Sequence, residues 1–151
     1  MTMGDVTIEQ MQDRHLPDVV RIERDSYPDP WSRDSFSREL AAQPVSVPLV
    51  AIRSEAVVGF VVAWFVVDEA HIGNVAVSPQ ERGNGIGRMM MQYLEEQAID
   101  RGCTYGSLEV RESNVAAKQL YARMGYRPIG RRKEYYRHSE EDAIVMIKTL
   151  K

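Results

Sequence analysis

Apolar residues along this 151-residue chain recur at two spacings, and the change from one to the other marks the elements. VTIEQM, from Val6, reads as a short strand. In HLPDVVRIERDSY, residues Leu16, Val19, Val20 and Glu23 fall at helical spacing, with Val19, Val20 and Ile22 as the apolar face. Pro28 and Pro30 stop that helix, because proline cannot continue the amide ladder. Ser32 is placed to cap a second helix, RDSFSRELAAQ, which ends before Pro44. Three extended stretches rich in β-branched residues follow: Pro48 to Ile52, Val57 to Val67, and Ala70 to Val77. A helix from about Ile86 to Arg101 sets Met90, Leu94 and Ala98 on one face. CTYGSLEVR then alternates, with Leu108 and Val110 pointing one way and Ser107, Glu109 and Arg111 the other. VAAKQLYARM returns to helical spacing with Ala117, Leu120 and Met124 inward, and Gly125 stands where a terminating glycine belongs. Two last strands, Tyr126 to Tyr136 and Asp142 to Leu150, flank the charged turn RHSEE. The order predicts an α+β (mixed α/β) fold, with residues 1–151 as a single domain.

Composition narrows the function classes. Apolar residues at 44% and charged residues at 27% are those of a globular protein with a core. A net charge of −3 disfavours general nucleic-acid binding, although GRRKEYYRH (Gly130 to His138) is locally basic. The opening MTMGDVTIEQ has neither a basic start nor an apolar stretch, so no signal peptide is expected. The longest apolar run, Val57 to Val67, is about half of the roughly 20 residues that span a bilayer, so no membrane partner is expected. The one cysteine, Cys103, excludes an intramolecular disulfide and fits a reducing, cytoplasmic setting; it reads as structural. His15, His71 and His138 are scattered without ligand spacing, so no metal is expected.

The segment ERGNGIGR changes the picture. Gly83, Gly85 and Gly87 sit between a predicted strand and a predicted helix. Unpaired amides and the positive dipole end at such a junction favour an anion, and glycines let the backbone approach it closely. The dinucleotide fingerprint G-x-G-x-x-G fails because Arg88 stands at its last position, and no G-K-[ST] of a P-loop is present. What the stretch does match is R-x-x-G-x-G, as Arg82, Gly85 and Gly87.

That pattern resembles the acetyl-CoA pyrophosphate loop of the GNAT superfamily of N-acetyltransferases. LEVRESNVAAKQLYARMGY, with DPW, AHIGNVAV and EYYRHSEEDAIVM, resembles the RimI-like branch that acetylates protein N-termini, from about residue 6 to residue 148. The resemblance implies a central twisted, mostly antiparallel sheet of about six or seven strands flanked by about four helices. It implies acetyl-CoA as co-substrate, with Val75, Ala76 and Val77 along the pantetheine arm. Arg82, Gly83, Asn84, Gly85, Ile86, Gly87 and Arg88 would hold the pyrophosphate. Asn114 matches an asparagine that contacts the cofactor arm, and also reads as a helix cap. Glu109, otherwise a solvated strand residue, matches the general base; Tyr121, otherwise core, matches the tyrosine that protonates the departing thiolate. The amide of Val75 is the candidate donor to the oxyanion.

The implied acceptor is the N-terminal peptide of a protein, in this branch a small-subunit ribosomal protein with N-terminal alanine. Tyr135 and Tyr136 resemble the loop that shapes its pocket, and Asp29 to Trp31 would supply a second wall unless Trp31 is simply buried. An α-amine, with a pKa of about 7.7–8.0, costs roughly 3.5 kcal/mol less to deprotonate than lysine at about 10.4. Two other acceptors stay open, a lysine side chain and a small amine such as a polyamine. A non-catalytic acyl-CoA-binding subunit would have no use for Glu109 and Tyr121.

Overall fold

In a computed structural model, the structure describes residues 5–136 and 141–150. Seven strands form one sheet: β1 (Val6–Gln10), β2 (Ser46–Arg53), β3 (Ala56–Val66), β4 (Glu69–Val77), β5 (Tyr105–Arg111), β6 (Arg127–Tyr136) and β7 (Glu141–Thr149). Their order is β1-β2-β3-β4-β5-β7-β6, antiparallel throughout except for β4 beside β5. The helices are α1 (Leu16–Ser26), α2 (Arg33–Ala41), α3 (Ile86–Asp100) and α4 (Val115–Arg123). The expected architecture is therefore the one observed. The RHSEE turn and His138 lie outside the described residues, apart from Glu141, which opens β7.

Local chemistry explains the boundaries. The Ser32 hydroxyl accepts from the amide of Ser35 at 3.1 Å, satisfying an orphan donor of α2. The Asn114 side chain does the same for α4, accepting from the amide of Ala117 at 3.1 Å. Gly125, at φ 101°, takes the left-handed conformation that ends α4.

The sheet has two covered faces. Against one lie α1 and α2, where Leu16, Val19, Ile22 and Phe36 meet Val50, Phe60 and Val62. Against the other, Ile86, Met90, Met91 and Leu94 of α3 meet Leu49, Val61, Ala63 and Leu108. β3 is buried on both sides, which accounts for its unbroken apolar run. On α1 the outcome differs in one place from the apolar face read in the sequence. Val20 is half-buried, while Glu23 occupies a fully buried position. On α4, Ala117 and Leu120 are half-buried and Tyr121 is buried, because this helix also borders a cleft.

The sheet divides in its middle. β4 and β5 are paired only from Glu69–Tyr105 to Ile72–Leu108. Beyond that point both strands continue without each other, β4 to Val77 and β5 to Arg111. At the divergence, the β3–β4 register shifts between Val62 and Ala63, leaving Gly73 as an extra residue on β4. Gly73 is required there, since a Cβ would lie 2.2 Å from the Trp64 indole.

Candidate active site

Two clefts open onto this gap. One, of about 690 Å³, lies between the α1–α2 loop, bearing Asp29 and Trp31, and the end of β6, bearing Tyr135 and Tyr136; Glu109 lines its interior. The other, of about 730 Å³, follows Val75, Ala76 and Val77 of β4 to the glycine loop and α4. Both are lined by Tyr27, Val75, Arg111, Asn114, Ala117 and Tyr121, so they meet at those residues.

The second cleft is built for an anion at one end. Gly85 caps α3 at φ 83°, and the amide of Met89 makes the first helical bond, to its carbonyl, at 3.0 Å. The amides of Ile86, Gly87 and Arg88 precede that first bond and lie at the positive end of a 15-residue helix. Gly83 is also left-handed, at φ 82°. The Arg82 side chain also holds the loop itself in place. Its Nε donates to the Val77 carbonyl and one terminal nitrogen to Ser26 Oγ, each at 3.0 Å, so it pins the loop to β4 and α1. Arg82, Gly83, Gly85, Ile86, Gly87 and Arg88 line the cleft, whereas exposed Asn84, between two left-handed glycines, does not.

At the other end, β4 presents backbone to the gap. The Tyr27 hydroxyl donates to the Val75 carbonyl, and Arg82 takes the Val77 carbonyl. The N–H and C=O of one strand residue point to the same side, so the amides of Val75 and Val77 face the gap that β5 has left. Asn114 caps α4 and also lines both clefts, a position compatible with the cofactor contact read in the sequence.

Glu109 is not a solvated strand residue. Its side chain is 10% exposed, with His71 Nε2 at 3.1 Å and Arg132 Nε at 4.0 Å. The polar face of β5 read in the sequence is the floor of a cleft. His71 Nδ1 lies 2.9 Å from Ser107 Oγ, and that hydroxyl donates its hydrogen to Glu69. With that hydrogen committed, Ser107 accepts from His71 Nδ1 and Nε2 faces Glu109, an arrangement that favours the imidazolium. Accordingly the hydrogen bond to Glu109 raises the His71 pKa above the usual 6.5. The imidazole stacks on Trp64, with ring centroids 5.6 Å apart at 20°.

Tyr121 is 7% exposed, and burial pushes its phenol up to about 12. Its hydroxyl makes no hydrogen bond among the described residues, while its ring packs edge-on against Tyr126 at 6.0 Å. Tyr135 and Tyr136 lie in the first cleft as expected, their rings 5.0 Å apart at 85°. Trp31 both lines that cleft and packs on Phe36 at 5.3 Å. Cys103 is buried in the core.

Glu23, Tyr27, His71 and Arg111 line the first cleft too, and the sequence reading gave them no role there. Glu23, 1% exposed, accepts from the Trp31 amide at 2.9 Å and from Asn74 Nδ2 at 3.0 Å; burial raises its pKa. A glutamate at a position of α1 that helical spacing makes apolar was the one available signal.

Comparison with known proteins agrees with this geometry. Residues 16–126 match the model of the acetyltransferase (GNAT) family. A Bacillus subtilis protein is 35% identical over 143 residues, 95% of either chain. The [ribosomal protein bS18]-alanine N-acetyltransferase of Salmonella typhimurium is 33% identical over 142 residues, 93% of this chain and 95% of that one. The crystal structure of the ribosomal-protein-S18-alanine N-acetyltransferase from Escherichia coli superposes with a TM-score of 0.87 at 30% identity, covering 96% of this chain and 94% of that one. On these matches the chain belongs to the GNAT family and is an acetyl-CoA-dependent N-acetyltransferase of RimI-like type.

Proposed function

We propose that this enzyme acetylates the N-terminal α-amine of a protein, with Glu109 as general base and Tyr121 as proton donor. One observation carries the reading. Both residues line a cleft of about 690 Å³ with aromatic walls, and it meets the glycine-loop cleft at Tyr121. Such a volume suits a peptide end. The relatives named above act, by their names, on the alanine of ribosomal protein bS18, which makes that N-terminus the first candidate acceptor.

The loop fits a pyrophosphate, having helix amides, two left-handed glycines and no acidic side chain among Arg82 to Arg88. Bound acetyl-CoA supplies a thioester carbonyl, which an uncharged amine attacks directly. Glu109 takes the amine's proton, held in place by His71. The Val75 amide, facing the gap, donates to the oxygen on which charge develops. Tyr121 gives its proton to the departing sulfur. An α-amine asks less of a single carboxylate than lysine does, by roughly 3.5 kcal/mol.

The test is a panel of peptides with free or blocked N-termini, all carrying an internal lysine, incubated with acetyl-CoA and read by mass spectrometry. Free N-terminal alanine or serine is expected to be modified and blocked peptides not. Equal rates on blocked peptides would transfer the reading to lysine.

A further inference from the structure

Arg111 is the last residue of β5 and only 9% exposed, yet it lines both clefts. It pairs with Asp29 in the α1–α2 loop and lies 3.5 Å from Glu141 Oε1 on β7. Its guanidinium carbon sits 3.9 Å from the centroid of the Tyr136 ring. Asp29 and Tyr136 belong to opposite walls of the first cleft.

Among the described residues, each wall also has contacts with its own half of the sheet. The α1–α2 loop is held by Tyr27 on Val75 and by the Trp31 amide on Glu23, all in the N-terminal half. Tyr136 ends β6, which pairs with β7 in the C-terminal half. Backbone pairing between the halves stops at Ile72 and Leu108, well short of the cleft mouth. Arg111 spans that opening with side-chain contacts. A planar guanidinium can serve two carboxylates along its edge while an aromatic ring covers its face, which an ammonium cannot. The second oxygen of Glu141 accepts from the Ser113 amide at 2.6 Å, linking the same residue to the segment that leads into α4.

We propose that Arg111 is a positioning residue that fixes the separation of the two acceptor-cleft walls, and so governs capture of a peptide more than capture of a small amine. This rests on reading the acceptor as a peptide. A peptide touches both walls at once, whereas a single amino acid amide needs only the inner end beside Glu109. A merely structural arginine would lower stability without sorting acceptors by length.

The experiment compares kcat/KM for a hexapeptide beginning with alanine and for alaninamide, with acetyl-CoA affinity by calorimetry and a thermal melt for each variant. Misplacing a bound acceptor by about an ångström costs up to roughly 10²-fold. For Arg111→Met, the peptide-to-alaninamide ratio is expected to fall about 10- to 100-fold, mainly through peptide KM, with Arg111→Lys in between. Should Arg111→Met fail to fold, Asp29→Asn and Tyr136→Leu each release one wall, and both must lower the ratio. If the wild type prefers the peptide and these variants keep that preference, the positioning role is overturned alone. A wild type that acetylates both acceptors equally overturns the peptide reading and this proposal with it.

Discussion

Replacing Tyr121 by phenylalanine isolates one atom of the proposed mechanism. The ring, its packing on Tyr126 and the wall it gives both clefts remain, and the lost hydroxyl had no protein partner among the described residues. Folding stability should therefore hardly change. The chemical cost follows from the environment of the hydroxyl. With its pKa near 12, the phenol stays protonated at every working pH and is always ready to donate. Because burial holds the phenol well above the range of an ordinary thiol, outright proton transfer to the sulfur is uphill. The burial that raises the phenol also penalises a thiolate beside it, so the mismatch narrows inside the cleft. Transfer is then concerted with departure of the sulfur, and losing it should lower kcat by ~10²–10⁴-fold. Stopped assays of peptide acetylation from pH 6 to 9, with acetyl-CoA affinity by calorimetry, separate chemistry from binding. Near wild-type turnover across that range, in a variant that binds acetyl-CoA normally, would refute the assignment and return Tyr121 to the core.

Two further outcomes are expected. Gly87→Ala should fold and bind acetyl-CoA, since its Cβ would make only ordinary contacts, with Leu120 Cδ2 at 3.4 Å and Val77 Cγ2 at 3.8 Å, whereas Gly87→Glu should abolish binding by opposing its charge to the pyrophosphate; unchanged affinity in a folded Gly87→Glu protein would displace the phosphate site from this loop. His71 has its pKa raised by Glu109, so its pairing stabilises the fold fully below the unfolded value of 6.5 and the gain fades as pH rises through the folded value. The melting difference between wild type and His71→Gln should accordingly shrink from pH 6 towards pH 8, and a difference that grows instead would show that His71 is not paired as an imidazolium.

The element order was legible because punctuation and periodicity agreed: Ser32 caps, Pro28 and Pro30 interrupt, Gly125 stops, and the apolar spacing changes between them. The glycine loop was legible for the same local reason, since a strand-to-helix junction with left-handed glycines is written in consecutive residues. What escaped was made by distance along the chain. Tyr27 reaches Val75 across 48 positions and Arg111 reaches Asp29 across 82, and no local pattern announces either pair. His71 was read as one of three scattered histidines because its partners, Ser107 and Glu109, arrive from β5. The polar alternation of β5 was correctly seen, but periodicity cannot tell a face turned to bulk water from one turned to a cleft. Arg82 shows the converse limit: the motif marks it, but not that its side chain also secures the loop to Val77 and Ser26.

The parting of β4 from β5 after four residue pairs has a thermodynamic consequence. Sheet edges are normally found at the rim of a protein, yet here one runs through the middle, with the amides of Val75 and Val77 turned towards a recess. On the proposed reading, a co-substrate lying along that recess would stand in for the missing strand. Ligand that binds only the native state adds RT ln(1 + [L]/Kd), about 2.7 kcal/mol at a hundredfold excess over Kd. That is comparable to a large share of a small domain's net stability of roughly 5–15 kcal/mol. By that linkage, acetyl-CoA bound there would make the same chain harder to unfold and to cleave than it is without the co-substrate.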